Sequence, residues 1–252
     1  MFKKIFTVLA VIAIVFLYAS VGESVEPIMD GLVSYWTFDA DDIEENVLKD
    51  VIGPNNGTIF GDVKTVPGKT NEALSFDGTD VYVDCGSDAT LKMTTGLTVE
   101  CWVTWDGGCS PIAGIERSYR IWIYGDDQLY CNLATAEHAW PGWGTGYMPA
   151  LGEWIHLAMV YDGNNLIAYA NGEKLGEDPA KGEVLPAAPP FIIGTYLPPR
   201  PDCMFTGMID ELRVYNRGLS QLELEQNMTA NFYSVTSLHK LVGTWGEIKN
   251  SN

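Results

Sequence analysis

Acidic side chains are the most numerous residues of this sequence that could do chemistry, and their spacing decides which chemistry is open to them. Retaining glycoside hydrolysis uses two carboxyl groups about 5 Å apart, and a strand provides such a pair when two acids stand two positions apart. The densest acidic run, Asp41, Asp42, Glu44 and Glu45, stands in a segment that we expect to be a solvated turn. None of the three histidines accompanies a nucleophile signature such as G-x-S-x-G. The sequence therefore offers no compact catalytic motif.

Asp210 is an acid that interrupts an apolar alternation. In the segment "MIDELRVY", a regular strand would place Asp210 on the same face as Leu212 and Val214. An unpaired charge on a buried face would cost several kcal/mol. We therefore expect either that this face is wet at Asp210 or that the carboxylate has a partner, such as the backbone amides of a neighbouring strand.

A second group of chemically capable residues lies in the segment "AEHAWPGWGTGYMPALG". This segment is rich in Gly and Pro and lacks strand periodicity, and aromatic rings on a loop can stack on sugar rings while carboxylates and imidazoles bind hydroxyls. Trp122 and Tyr124, on one face of "YRIWIY", could extend the same surface. The alternative is that the loop folds its aromatic rings inward over a sheet edge. The candidate ligand-binding residues are Glu137, His138, Trp140, Trp143 and Tyr147.

Five cysteines bear on the redox environment. No CxxC pair or Cys/His cluster has the spacing of a zinc site. Cys101 stands inside a predicted strand and can serve as a small buried hydrophobic residue. In an oxidising compartment one or two disulfides are expected, and Cys109 and Cys131, which flank a predicted hairpin, are the first candidates for a bridge.

The first residues favour export of the chain. Lys3 and Lys4 precede an apolar stretch, Ile5 to Tyr18, which is short for a membrane span, and Ser20 and Gly22 fit a cleavage site before residue 23. We therefore predict a signal peptide at 1–22, a linker at 23–30 and secretion, or a location on the exterior of the cell envelope. An uncleaved N-terminal anchor is the alternative, and no other segment could span a membrane.

The charge of the chain limits its partners. Asp and Glu number 33 against 15 Lys and Arg, which gives a formal net charge of −18. A nucleic acid would be repelled by this charge, so we exclude nucleic-acid partners. Calcium or a neutral ligand suits an acidic chain better. A surface that is acidic for solubility alone is the alternative reading.

The elements that must position these residues are short strands. Alternating segments separated by turn signals run from Leu32 to Tyr215, and they include "LVSYWTFD", "LTVECWVTW" and "MIDELRVY". Hairpin turns are predicted at 125–128, at 162–165 and at Asn171-Gly172. We therefore predict an all-β fold of two antiparallel sheets, a sandwich or jelly roll.

One short helix is predicted after the last strand. Ser220 and Glu223 have the spacing of a capping box, in which a helix starts at Gln221. Beyond Met228 the character of the sequence changes, and we treat 229–252 as a C-terminal tail. This tail is either an interaction or sorting segment, or a stretch that packs on the domain or stays disordered.

The order of these segments resembles a known family. "LVSYWTFD", "NNGTI", "ALSFDGTDVYVD", "LTVECWV", "GEWIHLAMVYDG", "LIAYANGEKLG", "FIIG" and "FTGMIDELRVYNRGLSQLELE" follow one another over 31–228. Together they resemble the LamG-like jelly-roll domain (laminin G domain 3 type) of the concanavalin A-like lectin/glucanase superfamily. The resemblance implies two curved antiparallel sheets and a recognition module in a secreted or surface protein. Fold alone does not fix function.

The resemblance also suggests a metal for Asp210. In related family 16 glycoside hydrolases, a "VDxVRVY"-like last strand places its Asp on a structural calcium, and "IDELRVY" matches that pattern. Calcium accepts carboxylate, carbonyl and water oxygens together. The implied ligands are Asp210, Asp39 and the carbonyl oxygen of Gly57, and structural Ca²⁺ is the one cofactor expected.

Enzymes of the superfamily carry signatures that this chain lacks. Retaining hydrolases of this fold have two carboxylates on one strand in an E-x-D-x-E or E-x-D-x-x-E pattern, which is absent here. Alginate-lyase relatives have an R-x-E-L-R strand, of which only the last three residues, Glu211 to Arg213, are present here. We expect the side chains of Glu211 and Arg213 to pair with neighbouring strands. We therefore predict a non-catalytic module that binds a glycan or another surface ligand. A protein-binding adhesion or structural module is the alternative, followed by a divergent polysaccharide hydrolase or lyase.

Overall fold

A computed structural model describes most of the chain. The predicted signal peptide at 1–22 lies outside the described residues, as does the tail from 231 onward. Apart from two 3-10 turns and one α-helix, the regular elements of the described chain are β-strands. The structure describes residues 25–138, 140, 142–196, 199–200 and 202–230.

The described strands form two antiparallel sheets. One sheet has eight strands, namely β1 (Leu32–Trp36), β5 (Lys64–Pro67), β6 (Glu72–Asp77), β8 (Leu97–Trp105), β13 (Ile155–Tyr161), β14 (Asn165–Ala170), β15 (Glu173–Pro179) and β17 (Thr206–Tyr215). The other has nine strands, namely β2 (Ile43–Glu44), β3 (Val47–Leu48), β4 (Gly57–Phe60), β7 (Tyr82–Asp84), β9 (Ser110–Ile115), β10 (Tyr119–Ile123), β11 (Leu129–Leu133), β12 (Gly142–Gly144) and β16 (Phe191–Ile193).

The strand order confirms the predicted jelly-roll sandwich. In the eight-stranded sheet the order is β15-β14-β13-β8-β17-β6-β5, and β1 pairs with the second half of β17. In the nine-stranded sheet the order is β12-β11-β10-β9-β16-β7-β4-β3-β2. Strands far apart in sequence thus lie side by side in both sheets, as in jelly rolls.

The hydrophobic core lies between the two sheets. Alternate residues of β8, such as Leu97, Val99 and Cys101, point into it, and all three are fully buried. Trp36 of β1 stacks on Phe191 of β16 with ring centroids 5.4 Å apart, which joins one sheet to the other. Full burial of a large apolar side chain contributes about 1.5–3 kcal/mol, so this alternation holds the sheets together without any ligand.

The predicted hairpins are present. The turn at 125–128 joins β10 to β11, and the turn at 162–164 joins β13 to β14. Asn171 and Gly172 form the two-residue connection between β14 and β15, with φ angles of 49° and 79°. Positive φ at both positions is what a type I′ turn requires, and Asn-Gly is well suited to it.

The acidic run is only partly the solvated turn that its composition predicts. A 3-10 turn covers Ala40–Asp42, and β2 follows it directly. Asp41, Glu44 and Glu45 are exposed. Asp42 is buried instead, because its carboxylate accepts a hydrogen bond of 2.8 Å from the hydroxyl of Thr37.

Strand β17 contains a β-bulge that the alternation of its sequence conceals. Asp210 pairs with Trp102 of β8, whereas Arg213 pairs with Glu100. Three steps along β17 therefore match two steps along β8, and Glu211 is the extra residue. Its φ of 55° is the left-handed conformation that such a bulge accommodates.

The bulge overturns the expectation that Asp210 shares a face with Leu212 and Val214. Ile209 and Leu212, on either side of the bulge, both point into the core. Asp210 instead shares the side of Trp102, on the face of the sheet that points away from the core. The extra residue shifts the alternation by one position, which removes the apparent misplaced charge from the core.

Helix α1 (Gln221–Thr229) packs on the outer face of the eight-stranded sheet. The predicted capping box is present, since the Ser220 amide donates to the Glu223 carboxylate at 2.7 Å and the Glu223 amide donates to the Ser220 hydroxyl. Leu224 of the helix is fully buried against that face. No helix in the described part of the chain combines the length and apolarity needed to cross a membrane.

The predicted disulfide between Cys109 and Cys131 is wrong. Cys109 bonds to Cys203, with a Cα–Cα distance of 4.7 Å, while Cys131 is a free, fully buried core residue of β11. The pairing follows from the topology. Because Trp105 at the end of β8 pairs with Gly207 at the start of β17, the segments beyond these two residues begin side by side.

Loss of this disulfide is expected to destabilise the fold. Cys109 and Cys203 are 94 residues apart, so the bond removes much of the freedom of the unfolded chain. We expect the Cys109→Ser/Cys203→Ser variant to lose about 2–4 kcal/mol of unfolding free energy in urea titrations. Cys131→Ser serves as a control that cannot break the bond. If a reductant lowers the stability of the wild type but not that of the double variant, the loss is due to this bond. A wild type whose stability is unchanged by the reductant would contradict the contribution of the disulfide.

Candidate functional site

The outer face of β10 carries a group of polar and aromatic side chains. Tyr119, Ile121 and Ile123 alternate into the core, which leaves Arg120 and Trp122 on the other side of the strand. Tyr124 follows directly and is 47% exposed. The period of two in "YRIWIY" therefore builds an outward surface on the nine-stranded sheet.

An open cleft of about 490 Å³ lies over this surface, and we call it the aromatic cleft. A cleft of this volume is within the range that holds a small ligand. Strand β10, the turn before it and the segment that follows β16 supply its walls. The described residues that line it are Glu116, Arg117, Arg120, Trp122, Tyr124, Tyr196 and Arg200.

Arg120 lies at the centre of the aromatic cleft. Its guanidinium carbon is 4.5 Å from the ring centroid of Trp122, 4.4 Å from that of Tyr196 and 5.4 Å from that of Trp140. Its Nη1 donates to the carboxylate of Glu116 at 2.5 Å, whereas Nε is buried and has no hydrogen-bond partner among the described residues. A cation that is held by ring faces in a partly dry site interacts more strongly than an exposed one.

The aromatic rings brace one another. Trp122 lies 4.6 Å from Tyr124, 5.7 Å from Tyr130 and 5.8 Å from Tyr196 between ring centroids. The indole nitrogen of Trp122 donates to Oδ1 of Asn132 at 2.5 Å, which fixes the ring plane. A platform held in this way loses little side-chain entropy when a ligand stacks on it.

A glycine in β12 allows the sheet edge to close over this platform. Gly144 pairs with Tyr130 of β11. A Cβ atom at Gly144 would lie 2.9 Å from Cζ of the Tyr130 ring, closer than ordinary packing permits. The glycine therefore lets the strand backbone lie against the ring, which is how the Gly-rich character of the predicted loop contributes to the site.

The structure separates the five loop residues predicted to bind a ligand. Trp140 reaches Arg120, as the 5.4 Å contact shows. Trp143 and Tyr147 are half-buried and pack against the core, so these two rings fold inward. Trp143 and Tyr147 therefore follow the inward-folding alternative, whereas Trp140 lies at the aromatic cleft.

The two polar loop candidates lie apart from the aromatic cleft. His138 hydrogen-bonds the carbonyl oxygen of Leu133 at 3.2 Å and a carboxylate oxygen of Asp178 at 3.1 Å. Glu137 is exposed, and its side chain lies near Gly182. The imidazole of His138 is thus engaged within the fold.

Sequence reasoning missed Arg120 although the signal was present. The alternation that groups Trp122 with Tyr124 also places Arg120 on the same face. No such signal could reveal Tyr196, since its approach to β10 depends on the long-range pairing of β16 with β9.

Asp210 has a partner and a free oxygen. Its side chain is fully buried, and Oδ2 accepts a hydrogen bond of 2.9 Å from the amide of Thr70. Oδ1 is buried and has no hydrogen-bond partner in the described chain. Burial raises the pKa of Asp210 to about 8, and the nearby carboxylate of Glu211 adds to the increase.

Of the other two predicted calcium ligands, Asp39 contacts the same loop as Asp210, whereas Gly57 belongs to the other sheet. Asp39 accepts a hydrogen bond of 2.9 Å from the amide of Glu72, so Asp39 and Asp210 hold the same loop. Gly57 is in β4 of the nine-stranded sheet. In the part of the chain that the structure describes, no three His, Cys, Asp or Glu side chains form a metal-binding group. Calcium therefore stays a prediction, with the unpaired oxygen of Asp210 as the feature that suits it.

Glu211 and Arg213 belong to a buried ionic cluster on the outer face of the eight-stranded sheet. The Arg213 guanidinium donates to the Glu211 carboxylate and, at 2.9 Å, to the hydroxyl of Tyr35, which itself donates to Glu211. It also lies 3.8 Å from the carboxylate of Glu100 on β8 and donates to the carbonyl oxygen of Asn227 in α1. The two residues thus pair with each other as well as with neighbouring strands.

Helix α1 seals this cluster. The amide nitrogen of Asn227 donates to Glu100 at 2.7 Å and to the hydroxyl of Tyr215 at 2.8 Å. Burial raises the pKa of Glu211, and the charge of Arg213 opposes that increase. Every charged member is at most 3% exposed, so a substrate cannot reach the cluster. Its arrangement serves packing of the helix on the sheet.

The family of the chain follows from residues 77–225. They match the family model Laminin_G_3, of the concanavalin A-like lectin/glucanases superfamily. The chain belongs to this family. As a Laminin_G_3 domain it has the sandwich that its segments predicted, and the matched region includes β10 and the aromatic cleft. No curated protein sequence matches the chain.

Solved structures with the same fold include binding domains and an enzyme. Domain 4 of AbnA, a GH43 extracellular arabinanase from Geobacillus stearothermophilus, in complex with arabinotriose, is 21% identical, with a TM-score of 0.61 over 78% of this chain and 98% of that one. The binding domain of Paraclostridial Mosquitocidal Protein 1 is 15% identical, with a TM-score of 0.61, and the match covers 79% of this chain and 52% of that chain. Trypanosoma rangeli sialidase in complex with the inhibitor DANA is 17% identical, with a TM-score of 0.60, and the match covers 80% of this chain and 33% of that chain.

These similarities establish the fold of the Laminin_G_3 domain and leave its activity open. The chain spans about half of the mosquitocidal binding domain and a third of the sialidase chain. Both binding modules and glycosidases therefore contain this fold, and function must be argued from the site itself.

Proposed function

We propose that this Laminin_G_3 domain is an exported, non-catalytic recognition module that binds a glycan in the aromatic cleft. The observation that carries the proposal is the exposed ring of Tyr124 beside the braced ring of Trp122. Sugar rings stack on such faces through their C–H groups, while guanidinium and phenol groups bind their hydroxyls. The arabinotriose complex of the AbnA domain, which has the same fold, is consistent with this use of the scaffold.

The carboxylates of the cleft support a binding role rather than hydrolysis. Among the described residues that line it, Glu116 is the single acid, and Arg120 already engages its carboxylate. Glycoside hydrolysis with two carboxyl groups requires a second acid within about 5–10 Å of the first. An exported location is supported by the Cys109–Cys203 disulfide, since such bonds persist in oxidising compartments.

The affinity expected for a single sugar unit is low. A monosaccharide of about a dozen heavy atoms at ~0.3 kcal/mol each would gain ~4 kcal/mol, which corresponds to a Kd of about 1 mM. Useful binding then requires an oligosaccharide that spans several subsites or several copies of the module on one surface.

Removal of the exposed ring should weaken glycan binding. We expect Tyr124→Ala to raise the Kd for a bound oligosaccharide about five- to tenfold, because one stacking contact is lost. Since Tyr124 is 47% exposed, the variant should fold normally. Isothermal titration with the best ligand from a glycan array measures the effect.

Phe60→Ala is the matched control for this measurement. Phe60 is 41% exposed on the same sheet, four strands away from β10. Equal losses in the two variants, or no loss in Tyr124→Ala, would contradict binding in the aromatic cleft. If no glycan binds at all while a protein of the cell surface is retained, the module recognises protein instead.

We also propose that a structural calcium stabilises the domain at Asp210. The buried, unpaired Oδ1 atom supports this, because a cation would supply the partner that the fold lacks there. When bound, calcium would hold the Asp210 carboxylate in its ionised form. The effect of calcium on Tm, compared in the wild type and in Asp210→Asn, tests the proposal.

A further inference from the structure

The arginines of this chain are unevenly placed. The sequence contains five, and three of them, Arg117, Arg120 and Arg200, line the aromatic cleft. The other two serve the fold. Arg213 lies in the buried ionic cluster, and Arg217 pairs with Glu223 at the start of α1. A chain with a net charge of −18 thus concentrates its guanidinium groups at the cleft proposed to bind a glycan.

The three cleft arginines differ in the partners that their guanidinium groups already have. Arg117 is exposed and forms no hydrogen bond or ion pair among the described residues. Arg120 is 7% exposed and uses Nη1 for Glu116, but its Nε has no acceptor. Arg200 differs, since its guanidinium is paired with Asp202 at 2.8 Å. Arg117 therefore lacks a negative partner within the described chain, whereas the charge of Arg120 is already paired with Glu116.

We infer that the ligand of the aromatic cleft is an acidic oligosaccharide whose sugar units carry carboxylates, that is, a uronate. The inference rests on the proposed glycan-binding function and specifies its ligand class. A guanidinium group matches a carboxylate with two parallel hydrogen bonds, and such charge-assisted bonds are stronger than those to neutral hydroxyls. The exposed ring of Tyr124 receives the sugar, while Arg117 receives its carboxylate and Arg120 adds positive charge beside it.

The charge of the whole molecule selects among acidic ligands. Beyond about 8–10 Å, charges are screened at physiological ionic strength, so a ligand in the cleft interacts mainly with the local arginines. A densely sulfated chain extends far past the cleft and carries several charges per disaccharide, and the acidic surface repels it along its length. An oligosaccharide with one carboxylate per ring is subject to much less of this repulsion.

The decisive experiment compares ligands that differ only in the carboxylate. Short oligomers of galacturonate, mannuronate and glucuronate are titrated into the full-length protein beside their carboxyl-reduced, neutral counterparts. We expect at least one oligouronate to bind ten- to a hundredfold more tightly than its reduced form. The preference should fall as salt rises, because Arg117 is exposed.

Arg117→Gln tests the residue assignment, and Lys64→Gln is its control. Arg117→Gln should remove most of the preference for the acid and leave binding of the neutral oligomer intact. Lys64 is exposed on the eight-stranded sheet, so its replacement changes the net charge equally and should have no effect. Both variants keep exposed polar side chains and should fold normally.

The outcomes separate this inference from the function on which it rests. Equal binding of acid and neutral forms overturns the uronate inference and leaves glycan binding in place. A preference for the acid that survives Arg117→Gln overturns the assignment of the carboxylate to Arg117. Tighter binding of a sulfated oligomer with the same backbone overturns the assignment to carboxylates. If no oligosaccharide of either kind binds and the glycan array is also blank, the proposed glycan-binding function fails as well.

Discussion

Replacement of Arg213 by methionine is expected to lower the unfolding free energy by about 3–5 kcal/mol at pH 7. Arg213 is the positive charge between the buried carboxylates of Glu100 and Glu211. Methionine retains most of the volume of the side chain but none of its charge. Glu211 would then be buried without a cation, and Glu100 would keep only the imidazole of His156, whose Nε2 lies 3.5 Å from its carboxylate. The loss of the guanidinium charge costs more than the loss of any packing contact.

The deficit should depend on pH with a definite sign. Burial already raises the pKa of Glu211 in the folded state, and Arg213 holds it down. Without Arg213 that pKa rises further above the value in the unfolded chain. The variant is therefore least destabilised relative to the wild type at low pH, where Glu211 is protonated. Urea unfolding should therefore show a difference from the wild type that is small near pH 4 and grows toward pH 7.

Two comparisons make the Arg213 result interpretable. Arg200→Met removes an exposed ion pair with Asp202 and should cost no more than about 1 kcal/mol. Combining Arg213→Met with Glu100→Gln and Glu211→Gln should recover much of the loss, since no buried charge then remains from these three residues. A single variant that is no less stable than Arg200→Met would contradict the role given to Arg213.

The parts of the fold that the sequence predicts depend on local patterns. The hairpin at Asn171-Gly172 follows from two residues that tolerate positive φ, and the start of α1 follows from Ser220 and Glu223. Alternation along β8 and β10 indicates which side chains point into the core. Such signals lie within a few residues of one another, so one sequence is enough to interpret them.

The parts that sequence analysis missed depend on which strands are neighbours. The extra residue Glu211 is invisible in an alternation and becomes evident only from the register of β17 against β8. The same pairing brings Cys109 to Cys203 across 94 residues. One wall of the aromatic cleft has the same origin, because Tyr196 reaches Arg120 through the pairing of β16 with β9. Long-range register thus determines the site more than any motif does.

Replacement of Asp210 by asparagine is expected to stabilise the metal-free protein at neutral pH. The folded-state pKa of Asp210 is raised to about 8, mainly by burial, against about 3.9 in an unfolded chain. Stability from this group is fully present below pH 4 and is lost as the pH rises toward 8. At pH 7 the loss amounts to about 4 kcal/mol at 1.36 kcal/mol per pKa unit. Asparagine keeps a neutral acceptor for the amide of Thr70 and should avoid that loss.

Urea titrations of the two proteins in a chelator, from pH 5 to pH 8, measure this effect. The advantage of Asp210→Asn over the wild type should increase with pH across the whole interval. Asp77→Asn is a suitable control, because Asp77 is exposed and hydrogen bonds from Thr79 lower its pKa. That variant should show no change in its difference from the wild type above pH 5. Parallel profiles for Asp210→Asn and the wild type would contradict the raised pKa.

Calcium should reverse the order of the two proteins if it binds at Asp210. The metal requires the ionised carboxylate. It would therefore stabilise the wild type most at high pH, where the buried carboxylate is ionised and most destabilising without a metal. Adding calcium at pH 8 should then raise the Tm of the wild type and leave that of Asp210→Asn unchanged. An equal rise in both proteins would place calcium elsewhere. No rise in either protein, combined with the pH-dependent advantage of asparagine, would mean that Asp210 is a protonated acid held by the amide of Thr70.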